Sequence, residues 1–169
     1  MYTSMIHTIV KKLKKKFRTT NPYELADALG IEIIYKKFEG IKGMYTCNQR
    51  CPFIFLSNEL DEHMEKIVLF HEIGHHILHR HEVNSSFSSF NEHSLYDMSS
   101  KYEIEANIFA ANFIISDDAI YGIEEGCTTE NAAKILCVSH EILLIKIDDM
   151  KKRDCEFNIP YMPKSNFLA

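Results

Sequence analysis

Val68-Leu69-Phe70-His71-Glu72-Ile73-Gly74-His75-His76-Ile77-Leu78-His79 is the stretch on which the reading of this chain turns. Its apolar residues occupy most of a helical circumference, the pattern of a buried helix. His71 and His75 are four residues apart, so a helix puts both imidazoles on one face, one turn apart. There two nitrogens can take two corners of a tetrahedral zinc. Glu72 lies about 100° further round the helix. It cannot easily join the same tetrahedron but can reach a water at the open corner. Zinc lowers the pKa of such a water to about 7, and a neighbouring carboxylate can take its proton and later return it to a leaving amine. This is the chemistry of the HExxH pattern. Two histidines and a glutamate in a buried helix need partners, and a metal supplies them. Gly74 costs roughly 1 kcal/mol of helix propensity relative to alanine, and its missing side chain allows another backbone or a substrate to approach. The competing reading is chance, in a chain with nine histidines. His63, His76, His79 and His81 crowd the same region and are read mostly as surface or packing residues.

The helix is expected over 59–79, with Ser57 or Asn58 as its cap. Its third ligand has to come from elsewhere. His81 stands where the HExxHxxGxxH pattern places a third histidine, but Leu78 replaces the glycine that would turn the chain back. With the helix continuing, His81 falls about 9 Å along the axis from His75 at ~1.5 Å per residue, and it is set aside. The better source is the helix expected from about Lys101 to Ile115. Glu103 shares a stripe with Ala106, Asn107, Ala110 and Phe113, and the small alanines would let this helix lie close against the metal helix. Glu105 shares a more mixed face with Phe109, Asn112 and Ser116. Glu103 is therefore the preferred ligand and Glu105 the alternative, whose bland reading is a solvated helix charge. Asn107, one turn beyond Glu103, can hold a ligating histidine by hydrogen bond.

Around these helices the pattern gives a first helix over 3–18, with Ile6, Ile9, Val10, Leu13 and Phe17 as its apolar stripe and a lysine run read as a solvated face. Asn21-Pro22 starts a short helix that Gly30 stops. Three strand-like runs follow at Ile31–Lys37, Lys42–Cys47 and Pro52–Leu56. Pro52–Leu56 could pair with an extended substrate at an edge, or be a core strand, the reading preferred. Asn84 to Ser100 is polar and serine-rich and reads as a loop over a cleft, a candidate gate. Ser116 or Asp117 caps a short helix ending near Gly122. Two helices, Thr128/Thr129–Leu136 and His140–Met150, have the cadence of a helix-turn-helix. Glu141, Asp148 and Asp149 dominate the second, so the pair is read as packing or partner-docking rather than as a DNA reader. The tail from Cys155 is expected to be extended.

Composition bounds the rest. The chain has 169 residues, 46% of them hydrophobic, a formal net charge of -5 and five cysteines with no CxxC pair. That suits one domain with a real core and excludes disorder, bulk nucleic-acid binding, a disulfide framework and a thiolate zinc knuckle. Free thiols in a reducing cytosol are expected. The start does not read as a signal peptide, and no apolar run is long enough to span a bilayer.

At His71-Glu72-Ile73-Gly74-His75-His76-Ile77-Leu78-His79 and Glu103-Ile104-Glu105-Ala106-Asn107-Ile108-Phe109-Ala110 the chain resembles the ImmA/IrrE family of metallopeptidases, whose patterns are HELGHxxLH and ExEANxFA. Asn21-Pro22-Tyr23-Glu24-Leu25 and Ile41-Lys42-Gly43-Met44-Tyr45 resemble its leading part. The resemblance covers roughly residues 20–120. It implies a cytoplasmic, gluzincin-like zinc peptidase with two histidines and one glutamate. In distant gluzincin relatives an ExxxD pattern supplies the ligand through its first acid, which falls on Glu103 and Asn107. In ImmA-type members the implied substrate is a helix-turn-helix repressor of a phage or integrative element.

The expectation is thus an α+β fold: a zincin-like, mostly helical domain over 1–125 with a small antiparallel three-stranded sheet, and a helical pair with an extended tail over 126–169 packed on it. His71, His75 and Glu103 (or Glu105) hold Zn2+, Asn107 supports them and Glu72 is the catalytic base. The partner is a repressor protein, with no membrane and no direct DNA contact. The alternative is a non-catalytic metal-containing module that binds a repressor or DNA. An oxyanion donor is expected among Tyr102, His93, Tyr96, Tyr121 and Tyr161.

Overall fold

In the computed structural model, residues 2–86, 90–92 and 100–159 are described. They form, in order, α1 (Tyr2–Phe17), α2 (Pro22–Ala28), β1 (Glu32–Lys36), β2 (Gly43–Asn48), β3 (Cys51–Ser57), α3 (Glu62–Ser86), β4 (Phe90–Glu92), α4 (Lys101–Ile114), α5 (Asp117–Tyr121), α6 (Thr129–Ile135) and α7 (His140–Lys152). The fold is α+β, helices dominating.

Local chemistry accounts for most element ends. Asn21 Oδ1 accepts from the Tyr23 amide at 2.9 Å, with Pro22 at the first turn, the usual start of a helix. Ser100, Ser116, Thr128 and Ser139 cap α4, α5, α6 and α7 in the same way. The cap of α3 is Asp61, whose Oδ1 accepts from the Met64 amide at 2.8 Å. Ser57, expected to cap α3, instead closes β3. Past Leu78, α3 does not turn back but continues to Ser86.

The sheet differs from the expected antiparallel arrangement. Its order is β1-β3-β2-β4. β2 and β3 form an antiparallel hairpin through Gln49 and Arg50, both with positive φ, the backbone a two-residue turn needs to match strand twist. β1 runs parallel to β3, with Glu32 opposite Phe53, so β3 sits between the two strands that precede it in the chain. The physical reason is patterning. Phe53-Ile54-Phe55-Leu56 is a continuous apolar run suited to the middle, whereas β1, bearing Glu32 and Lys36, suits an edge. β3 is accordingly a core strand and offers no edge to a substrate. Within the segment read as a loop, β4 adds a short strand antiparallel to β2; the remainder of that segment, 87–89 and 93–99, and residues 160–169 of the expected tail lie outside the described residues.

α3 crosses the sheet over β2 and β3, and its Val68, Leu69 and Ile73 join Tyr45, Ile54 and Leu56 in the core. α4 lies antiparallel to α3: Phe70 stacks on Phe113 at 4.9 Å, while the far end of α3 brings His79 to Glu105. The close approach needs Gly74. A Cβ there would stand 3.2 Å from Ala106 Cα and 3.2 Å from Phe109 Cδ1.

α7 packs on α4 and α6, and its Ile142, Leu143, Ile145, Ile147 and Met150 are buried. It also buries a polar cluster. Lys146 donates to Asn112 Oδ1 and Asp117 Oδ1, each at 2.6 Å, and Arg153 forks onto Asp117 at 2.9 and 3.0 Å. Lys146 and Asp149 are fully buried, unusual for charged residue types. Lys14 likewise leaves the solvated face of α1 and donates to the Asn112 carbonyl at 3.0 Å. All five cysteines are free thiols, and no described helix is long and apolar enough to cross a membrane.

Candidate metal centre

The middle of α3 and the first turns of α4 face each other across the Gly74–Ala106 contact. That approach brings three side chains to one point. His71 Nε2 and His75 Nε2 lie 3.0 Å apart, His71 Nε2 is 3.1 Å from Glu103 Oε2, and His75 Nε2 is 3.4 Å from Glu103 Oε1. Both imidazoles are buried, and the Glu103 side chain is 14% exposed. Among the described residues these three make the one group of histidine, cysteine or carboxylate ligands able to hold a metal ion.

The donor spacing can be tested against a metal. Bonds of about 2.0–2.1 Å to His and Glu set neighbouring corners of a tetrahedron roughly 3.3 Å apart. The observed 3.0, 3.1 and 3.4 Å fit that edge. The protonation states fit as well. Burial is the main cause that pushes the His75 pKa down, to about 4, against the pull of Glu103, so a neutral ring presents a lone pair. At Glu103 burial pushes the carboxyl up, but hydrogen bonds and charge from His71 and His75 outweigh it and hold the group below the usual carboxylate range. Two buried imidazoles and a carboxylate converging at one point suit a divalent cation.

The outer nitrogens are also held. His71 Nδ1 is 2.9 Å from Asn107 Oδ1, one helical turn beyond Glu103. His75 Nδ1 lies 3.1 Å from His79 Nδ1, and His79 Nε2 lies 2.9 Å from Glu105 Oε2. Glu105 therefore stands apart from the three-ligand cluster, and it is not solvated either, its side chain being 14% exposed. In the sequence His79 is marked by its four-residue spacing from His75 and as the last histidine of the HELGHxxLH pattern. His76 is the packing residue it was read as: Nδ1 meets Tyr45 Oη at 3.0 Å, and burial, then Arg80, lowers its pKa to about 4.

Glu72 is fully buried on the sheet side of α3. A Cβ on Gly43 would meet its Oε1 at 2.9 Å, so β2 passes the carboxylate at a point where only glycine fits. Of the expected oxyanion donors, Tyr102 packs edge-on to His79 at 4.9 Å, while Tyr121 is exposed on α5. His93, Tyr96 and Tyr161 lie outside the described residues, as does the side chain of His81.

Comparison with known proteins agrees with this geometry. The model of the peptidase family described as the IrrE N-terminal-like domain matches residues 26–148. The chain is also 35% identical over 115 residues to "Uncharacterized immunity region protein 2" of Bacillus phage phi105, an alignment covering 68% of this chain and 70% of that protein.

Proposed function

The chain belongs to the M78 peptidase family, that of the IrrE N-terminal-like domain, and from that premise we propose that it is a cytoplasmic zinc endopeptidase that cleaves a helix-turn-helix repressor of a phage or mobile element. The observation that carries the reading is the convergence of His71 Nε2, His75 Nε2 and the Glu103 carboxylate at 3.0–3.4 Å. The immunity-region name of the phage relative supports a repressor as the substrate class.

His71, His75 and Glu103 would hold the metal. When bound, zinc supplies Lewis acidity and lowers the pKa of a coordinated water towards ~7. Asn107 fixes His71 by accepting from Nδ1–H, which leaves Nε2 as the metal donor. Glu72 sits next to His71 but outside the ligand set. It takes the proton of the attacking water and returns it to the leaving amine. The burial of this carboxylate on the sheet side of α3 keeps bulk water from competing for that proton.

The test is co-expression with the cognate helix-turn-helix repressor, comparing wild type with Glu72→Gln. Repressor fragments should appear with wild type alone. Equal release of the repressor by both proteins, without fragments, would instead identify a non-catalytic regulatory module.

A further inference from the structure

We propose that His79 and Glu105 are positioning residues for His75, forming a relay Glu105–His79–His75 that ties one metal ligand to a carboxylate on the opposite helix. This rests on the metal-binding reading of His71, His75 and Glu103. The residues of the relay come from two series: His71, His75 and His79 at four-residue spacing along α3, and Glu103, Glu105 and Asn107 at two-residue spacing on α4. Each α4 residue meets a different histidine atom. Glu103 meets the two Nε2 atoms of His71 and His75, Asn107 meets His71 Nδ1, and Glu105 meets His79 Nε2.

Proton placement along the relay has one solution. A His75 that offers the Nε2 lone pair to a metal carries its hydrogen on Nδ1. That hydrogen points at His79 Nδ1, 3.1 Å away, which must then accept. His79 in turn carries its hydrogen on Nε2 and donates it to Glu105 Oε2 at 2.9 Å. Every nitrogen is satisfied, and His79 is 2% exposed, so water is no competitor for these bonds. Metal on His75 therefore dictates the tautomer of His79, and the Glu105 carboxylate favours that same tautomer.

The two histidine ligands are consequently supported unequally. His71 donates to the neutral amide oxygen of Asn107, whereas His75 donates through an imidazole to an anion. A carboxylate at the end of such a chain raises ligand basicity and locks ring orientation. Tyr102, edge-on to His79 at 4.9 Å with a 71° interplanar angle, closes the relay on its outer side. The competing role is a mere tie between α3 and α4, which would affect stability without affecting the metal.

The experiment measures zinc affinity by chelator competition, together with thermal unfolding of the metal-free protein, for wild type, Glu105→Gln, Glu105→Asp and His79→Leu. Disrupting partners of metal ligands costs 10–100-fold in affinity. Glu105→Gln, which keeps an acceptor but loses the charge, is expected to weaken zinc binding about 10-fold, and His79→Leu towards 100-fold. Glu105→Asp is expected to recover most of the loss, with the metal-free Tm of Glu105→Gln unchanged. Nitrogen-15 NMR of the zinc-loaded wild type should show His79 protonated on Nε2. Wild-type affinity in both Glu105→Gln and His79→Leu, or His79 protonated on Nδ1 with zinc bound, would overturn the relay while leaving the metal site standing. A wild-type protein that takes no zinc would overturn both.

Discussion

Gly43 of β2 and Glu72 of α3 are in contact, and no other residue fits at position 43: an added Cβ would stand 2.9 Å from Glu72 Oε1 and 2.5 Å from Val68 Cγ1. A Val68 methyl and β2 backbone cannot both give way cheaply, because β2 is paired on both sides, to β3 and β4. Gly43→Ala should therefore displace Glu72 while leaving His71, His75 and Glu103 in place. A misplacement of about 1 Å in a reacting group can cost 10²-fold, so a fall of 10–100-fold in kcat/KM is expected with zinc stoichiometry retained. Steady-state cleavage and metal analysis on the same preparation check it. Full activity would mean that Glu72 does not need its present position.

The second glycine acts on the metal rather than on the base. Gly74 lets α4 approach until an added Cβ would be 3.2 Å from Ala106 Cα, a backbone atom with no freedom to yield. Gly74→Ala gains up to about 1 kcal/mol of helix propensity but overpacks a contact where such insertions cost about 1–3 kcal/mol. Gly74→Val loses that compensation. It should destabilise the protein by about 2 kcal/mol or more and weaken zinc binding, since Glu103 reaches the histidines across this interface. Urea unfolding and chelator competition read the two effects separately.

The grouping of His71, His75 and Glu103, with Asn107 against His71, was legible in the sequence because each lies on a helix whose period says which side chains share a face. Gly74 was legible for the same reason. What escaped depends on which elements meet. The role of Gly43 follows only from β2 crossing over Glu72. The parallel pairing of β1 with β3 was hidden because adjacency in sequence suggests consecutive hairpins, whereas the most apolar strand took the middle. His79 read as a surface or packing histidine and Glu105 as the alternative metal ligand or a solvated charge, until the antiparallel alignment of α3 and α4 set them 2.9 Å apart. The burial of Lys146 and Asp149 ran against their residue types, as paired buried charges always do.

Asp117 is the hub of that buried polar cluster. It receives Lys146 at 2.6 Å and the two terminal nitrogens of Arg153. Burial pushes its carboxyl up, yet Arg153 and Lys146 hold it well below the usual range. Removing one partner of a buried pair leaves an uncompensated charge and costs about 3–5 kcal/mol. Asp117→Ala should lose that much, because Lys146 is fully buried and, among the described residues, keeps only Asn112 as a hydrogen-bond acceptor. Asp117→Ala combined with Lys146→Met should recover a large part of the loss, since an apolar pair of similar volume is often neutral. Equal stability of the single and double variants in denaturant would show that the Lys146 charge is not what makes the loss costly.

Lys14, at the edge of the same cluster, gives the chain a pH dependence on the alkaline side. Burial, with repulsion from Lys146 and against attraction from Asp117, lowers its pKa to about 8, whereas an unfolded lysine titrates near 10.4. Between those values the unfolded chain holds the proton and the folded chain has released it. Stability rises with pH wherever the unfolded state binds more protons, so this residue adds stability as pH climbs from about 8 towards 10 and contributes no slope below pH 7. The raised pKa values of Tyr23 and Tyr45, both driven first by burial, oppose the trend above pH 10, but they are common to wild type and any Lys14 variant. In Lys14→Met the Asn112 carbonyl loses its donor, a pH-independent cost, while the titrating group disappears. The stability difference, wild type minus Lys14→Met, should therefore be flat from pH 6 to 7 and shift in favour of wild type from pH 8 to 10. Urea unfolding across that series measures it, and parallel pH profiles for the two proteins would show that Lys14 is solvated as an ordinary surface lysine.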